Sequence, residues 1–254
     1  MPFCAHGAID LVWVESSFSL TRTKINNCSD CFNTKIYPKH YYCGLMIWFY
    51  FGTNLFILLT GIFLYVTWCK STNQSIYNQF VILTAVSAGI AAFGHLEILP
   101  ILWQKGLLVL SRIVNILAIY SFAAHSVRHF GYDKYSWVKK ANVLLFLAGL
   151  SWLLVLNYAN PGSKTAFLPV IVYGAVGIVG IGMLSYIIKL EEDFKSYLNV
   201  VVGVLLIISS AVLFKLIPEV DGIKPSDISH ILIAFALILM TYGVKRNDQN
   251  ESKK

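Results

Sequence analysis

The chain has 254 residues, of which 57% are hydrophobic and only 13% charged, with a formal net charge of +7. A soluble domain carries about a quarter charged residues, and a soluble fold of this size keeps too much surface wet to hide so much apolar side chain. The composition therefore excludes an ordinary water-soluble domain and points to lipid as the solvent. The basic residues lie in short connections and at the C-terminus, where they act as topology determinants and do not form a groove for phosphate. Membrane lipid is thus the expected partner and nucleic acid is not, while protein partners are left unspecified.

Residues 1–43 stand apart as an extension. They carry Cys4, Cys28, Cys31 and Cys43, together with Arg22, Lys24, Lys35 and Lys39. Their apolar run from Gly7 to Leu20 contains Asp10 and Glu15, so it is too short and too charged to span and makes a poor signal peptide. The first span, from Gly44, is then the insertion signal. A spanning helix needs about 20 mostly apolar residues. Seven segments qualify: 44–69, 77–98, 104–125, 139–158, 166–189, 197–217 and 226–244. Turn signals and charged stretches separate them, among them Pro100, the Gly131-Tyr-Asp-Lys134 turn, Asn160-Pro161-Gly162 and the acidic run from Glu191. The expectation is an all-α, polytopic seven-transmembrane helix bundle over 44–244, followed by a tail at 245–254. Short loops make consecutive helices antiparallel neighbours. Gly174, Gly177, Gly180 and Gly182 mark the fifth span as one that approaches its neighbours closely, inside the bundle.

Basic residues decide orientation. One side holds Lys70, Arg128, Lys134, Lys139, Lys140, Lys189, Lys195 and the tail's Lys245, Arg246, Lys253 and Lys254. The other holds Lys105, Lys164, Lys215 and Lys224, apart from the extension. The C-terminus is therefore expected in the cytoplasm and the extension on the exoplasmic side, where its cysteines could form disulfides. Cys28-x-x-Cys31 could instead suggest zinc, but the other two cysteines lack regular ligand spacing.

At the exoplasmic level this topology gathers His95 and Glu97, Arg112 and Asn115, and Asp227 and His230, with Glu219 and Asp221 in the last loop. Ionisable groups in or near a span are costly and mark functional sites. Imidazoles with carboxylates can hold a transition metal that activates water. His95, Asp227 and His230 are the candidate metal ligands, with zinc the candidate ion. Arg112 would stabilise a developing anion, and Glu97 is a further catalytic candidate. The same residues also read structurally: Asp227 as an N-cap shared with Ser226, His95 as a solvated loop residue, and Arg112 as a neutraliser of Glu97 or a side chain reaching for the interface. At the opposite end His125 and His129 are four apart, a spacing that can ligate metal or haem. The neighbouring Arg128 and the turn from Gly131 read instead as a plain exit into water beside an anionic leaflet.

The stretch Ser226-Asp-Ile-Ser-His230, running to Tyr242-Gly-Val-Lys-Arg246, and a second span closing on Ala92-Phe-Gly-His95 resemble a seven-span family known mainly from bacteria. The resemblance covers about Phe51 to Arg246. More distantly the arrangement is similar to the alkaline ceramidase and progestin/adiponectin receptor superfamily. That likeness implies zinc held by a histidine near the end of the second helix and two on the last, with a serine four residues before the first. In this chain Ala91 takes that serine's place, Ser87 lies one turn further back, and Ser226 stands where the extra histidine belongs. His95 and His230 carry over as ligands, and Asp227 or Glu97 would complete the set. The resulting expectation is a membrane-embedded, metal-dependent hydrolase of a lipid amide or ester. Its rival is a non-enzymatic seven-helix receptor, transporter or scaffold with a structural polar cluster.

Overall fold

The computed structural model describes residues 39–69, 74–96, 98–159, 164–216 and 225–251, and for 39–50, 164, 214–216, 225, 226 and 251 the backbone alone. The chain divides into Met1–Lys39 and His40–Lys254, and the helices below make up the second unit. Cys4, Cys28, Cys31, Glu97, Glu219 and Asp221 lie outside the described residues, as does any pairing of the extension's cysteines.

The described residues are helical throughout, apart from short connections: α1 (Lys39–Thr67), α2 (Ser75–Gly94), α3 (Ile101–His129), α4 (Ser136–Ala159), α5 (Thr165–Ile188), α6 (Phe194–Leu216) and α7 (Pro225–Glu251). α2 to α7 each contain a stretch long and apolar enough to cross a membrane, and α1 contributes the shorter apolar stretch Phe51–Thr67. The fold is an all-α bundle of a multi-pass membrane protein. Large apolar side chains such as Leu59, Phe63, Leu102, Leu144, Val155 and Phe235 point outward from it, the reverse of what water would permit.

Helix ends follow local chemistry. Pro100 caps α3, where its lack of an N–H costs nothing. Gly131, at φ 69°, turns the chain between α3 and α4 in the left-handed conformation that glycine tolerates. Two ends run past the expected boundaries. α1 begins at Lys39, before Gly44, and α7 continues through 245–251, where a tail had been expected. α3 is 29 residues long, about 44 Å at 1.5 Å per residue. A hydrocarbon core of about 30 Å is shorter, so α3 runs on past His125, the expected end of its span, to His129.

Small residues set the helix spacing. A Cβ on Gly61 of α1 would overlap Ala85 of α2, and one on Gly203 of α6 would lie 2.9 Å from the Ala236 carbonyl of α7. α5 is α-helical over Leu168–Gly174, π-helical over Ala175–Met183 and α-helical again over Leu184–Ile188. Its glycine face lies on α3: a Cβ on Gly177 would sit 2.6 Å from Ile119 Cγ2, and one on Gly182 would overlap the Phe122 ring. Val172, Leu184 and Ile187 on the same span are exposed. α5 therefore packs through one face and is not enclosed by the bundle as its glycines had suggested. The core centres on Tyr77, Phe80, Phe122, Tyr186, Leu237 and Met240.

Candidate functional site

The end of the bundle where α7 begins carries the residues singled out from sequence. Asp227 is 2% exposed and shares a face of α7 with His230, three residues on. Both meet Thr53 of α1. The Thr53 hydroxyl lies 3.1 Å from His230 Nδ1 and donates to Asp227 Oδ1 at 3.5 Å. One threonine, itself buried, thus joins the two ionisable groups and ties α1 to α7. Threonine mid-helix can also bond its own backbone, so nothing in the sequence of α1 announced this role.

His95 stands at a helix end and Arg112 turns to α4. His95 is the C-cap of α2, with its backbone N–H bonded to the Ala91 and Ala92 carbonyls. Arg112 donates to Asn157 Oδ1 of α4 at 2.9 Å and lies 6.0 Å from the centroid of the Phe167 ring. Its guanidinium thus turns to α4 and the start of α5. Ser87, one turn before the superfamily's serine position, exchanges hydrogen bonds with Ser111 of α3: each hydroxyl donates to the other's backbone carbonyl at 2.9 Å. It braces α2 against α3. Among the described residues no three His, Cys, Asp or Glu side chains are grouped to hold an ion, and Glu97, one of the candidate donors, lies outside them.

The opposite end corrects the reading of His125 and His129. His125 is 3% exposed, not solvated. Its Nε2 meets the Tyr186 hydroxyl of α5 at 3.0 Å, and its ring lies edge-on to Tyr77 of α2 at 5.2 Å. The Tyr77 hydroxyl in turn meets Thr241 Oγ1 of α7 at 3.1 Å. His129 stacks on His125 at 5.4 Å, and its Nε2 lies 3.2 Å from Asn247 Nδ2 of α7. Four helices are thus joined through two histidines, two tyrosines, a threonine and an asparagine. Residues 230 and 247 are 17 positions apart on α7, about 26 Å, so this network and the Thr53 cluster occupy the two ends of the bundle. The four-residue spacing puts His125 and His129 on one face; what the sequence does not show is that α3 stays helical and packed through both.

Just outside the spans, Asp193 precedes α6 and accepts from the Ser196 N–H at 3.4 Å and from Asn250 Nδ2 of α7 at 2.9 Å. Partial burial pushes its carboxyl up, but the bonds from Ser196 and Asn250 and the nearby Arg246 outweigh that and hold it below the usual carboxylate value.

Fold and polar interior define a multi-pass helical membrane protein with hydrogen-bonded ties at both ends. Residues 49–249 match a family of unknown function (DUF6962), and the chain belongs to that family. No curated protein and no solved structure matches it.

Proposed function

We propose that the chain is a seven-span integral membrane protein, its C-terminus in the cytoplasm and its N-terminal extension exoplasmic. In this reading it serves as a non-enzymatic receptor or scaffold embedded in membrane lipid. The observation that carries it is the Thr53 hydroxyl lying between Asp227 and His230. Polar side chains engaged across a helix interface act as ties, and Arg112, the expected anion stabiliser, is engaged by Asn157. A transporter would favour discontinuous helices at the midplane. α5 passes from α to π and back with no gap, which favours receptor or scaffold over transporter. The count of seven rests on α1, 29 residues long with its apolar stretch over Phe51–Thr67. The orientation rests on the lysines and arginines clustered at the end where α7 finishes.

The test is the metal content of purified full-length protein, measured beside its His95→Ala and His230→Ala variants, with hydrolysis of a long-chain amide and ester assayed in parallel. The expected result is no stoichiometric zinc and no turnover. Stoichiometric zinc lost in both variants, together with hydrolysis, would overturn the non-enzymatic reading in favour of the hydrolase.

A further inference from the structure

At the end of the bundle where α7 finishes, α3, α4 and α5 form an open groove of about 440 Å³, lined by Val127, Tyr132, Tyr135, Trp137, Asn142 and Ile181 among others. Small-molecule pockets run from about 300 to 1,000 Å³. Its walls are apolar or aromatic except for one amide. Asn142 is 5% exposed, and its Oδ1 has no hydrogen-bond partner. Every other buried asparagine amide on α4 is used: Asn157 accepts from Arg112 and donates to Leu153. A buried acceptor without a donor is costly, and hydrocarbon holds no water to relieve it. A group of this kind needs an explanation.

We infer that this groove binds a long-chain lipid with an uncharged hydroxyl head, seated on the Asn142 amide. The hydroxyl would donate to Oδ1 and accept from Nδ2, while the chain fills the apolar space toward Ile181. Depth agrees with this. Asn142 is six residues into α4, about 9 Å along it, below the aromatic Tyr132, Tyr135 and Trp137, which suit the membrane–water boundary. The lining contains no cation, which favours an uncharged head over a phosphate or carboxylate, although Lys134 lies 5.1 Å from the centroid of the Tyr135 ring at its edge. The nearby Lys139 is paired with Asp133 at 3.8 Å and does not line the groove. The inference assigns no role to Asp227 or His230, so it stands or falls separately from the non-enzymatic reading.

The test uses the full chain in detergent micelles, titrated with oleyl alcohol and with methyl oleate, which has the same chain and no donor. Binding is read by native mass spectrometry. Saturable one-to-one binding of the alcohol is expected, roughly tenfold tighter than the ester, the worth of one hydrogen bond. Asn142→Leu, which removes the unpaired amide and is expected to fold, should abolish that preference. Val138→Trp, on the groove wall, should weaken both ligands. Absence of saturable binding, equal affinity for alcohol and ester, or a preference retained in Asn142→Leu would each overturn the proposal. So would a dimer that Asn142→Leu dissociates while oleyl alcohol is ignored, which would mean that a second copy covers the amide.

Discussion

The two ends of α7 use the same kinds of side chain and solve different problems. Where α7 begins, one hydroxyl from α1 serves Asp227 and His230 together. Where α7 finishes, His125, His129, Tyr77, Tyr186, Thr241 and Asn247 link α2, α3, α5 and α7 through hydrogen bonds and packed rings. The first ties α1 to α7. The second is part of the packed core, since Tyr77, Tyr186 and Phe122 are among its most deeply buried side chains. Polarity in a membrane bundle therefore does not by itself mark a site; the number of helices a group joins tells whether its loss is a lost bond or a hole in the core.

The largest effect is expected from His125→Ala. It removes the bond between His125 and the Tyr186 hydroxyl and opens space beside Tyr77, costing about 2–4 kcal/mol, measured as thermal or denaturant stability in micelles. A cost no larger than that of Thr53→Val would erase the contrast between the two ends. Thr53→Val keeps the shape and removes the hydroxyl, so its cost should be about 0.6–1.7 kcal/mol, the range for interhelical bonds in membranes. If Thr53→Val approaches the cost of His125→Ala, the first end is more than a tie.

The smallest effect belongs to the connection outside the spans. Asp193→Ala removes the cap of α6 and should cost about 0.5–1 kcal/mol at neutral pH. The folded carboxyl titrates below its unfolded value of about 3.9. Its contribution is therefore complete above that value and is lost as pH falls through the folded one. Wild type and Asp193→Ala should converge in stability below about pH 3.9. A gap that persists undiminished in acid would show that the carboxylate charge is not what caps α6.

Composition and run length alone determined that this is an all-α membrane protein, and roughly where its helices lie, because the bilayer imposes one requirement on every residue of a span: apolar side chains and internally bonded backbone. That requirement is local and can be read one segment at a time. The same reading placed Asp227 and His230 on one face, since three residues along a helix fixes their relation.

What only the tertiary structure decided is which residues from different helices meet. Asp227 and Arg112 share a level in the topology, yet Arg112 turns to Asn157 and Asp227 to Thr53. Level along a helix follows from sequence, but rotation about its axis is set by close packing, here by glycines such as Gly177, Gly182 and Gly203 and the neighbours that fill their space. The π-helical stretch of α5 shifts that rotation again, just before Tyr186 reaches His125. The buried His125 and the unpaired Asn142 both follow from those rotations, which no periodicity in a single chain encodes.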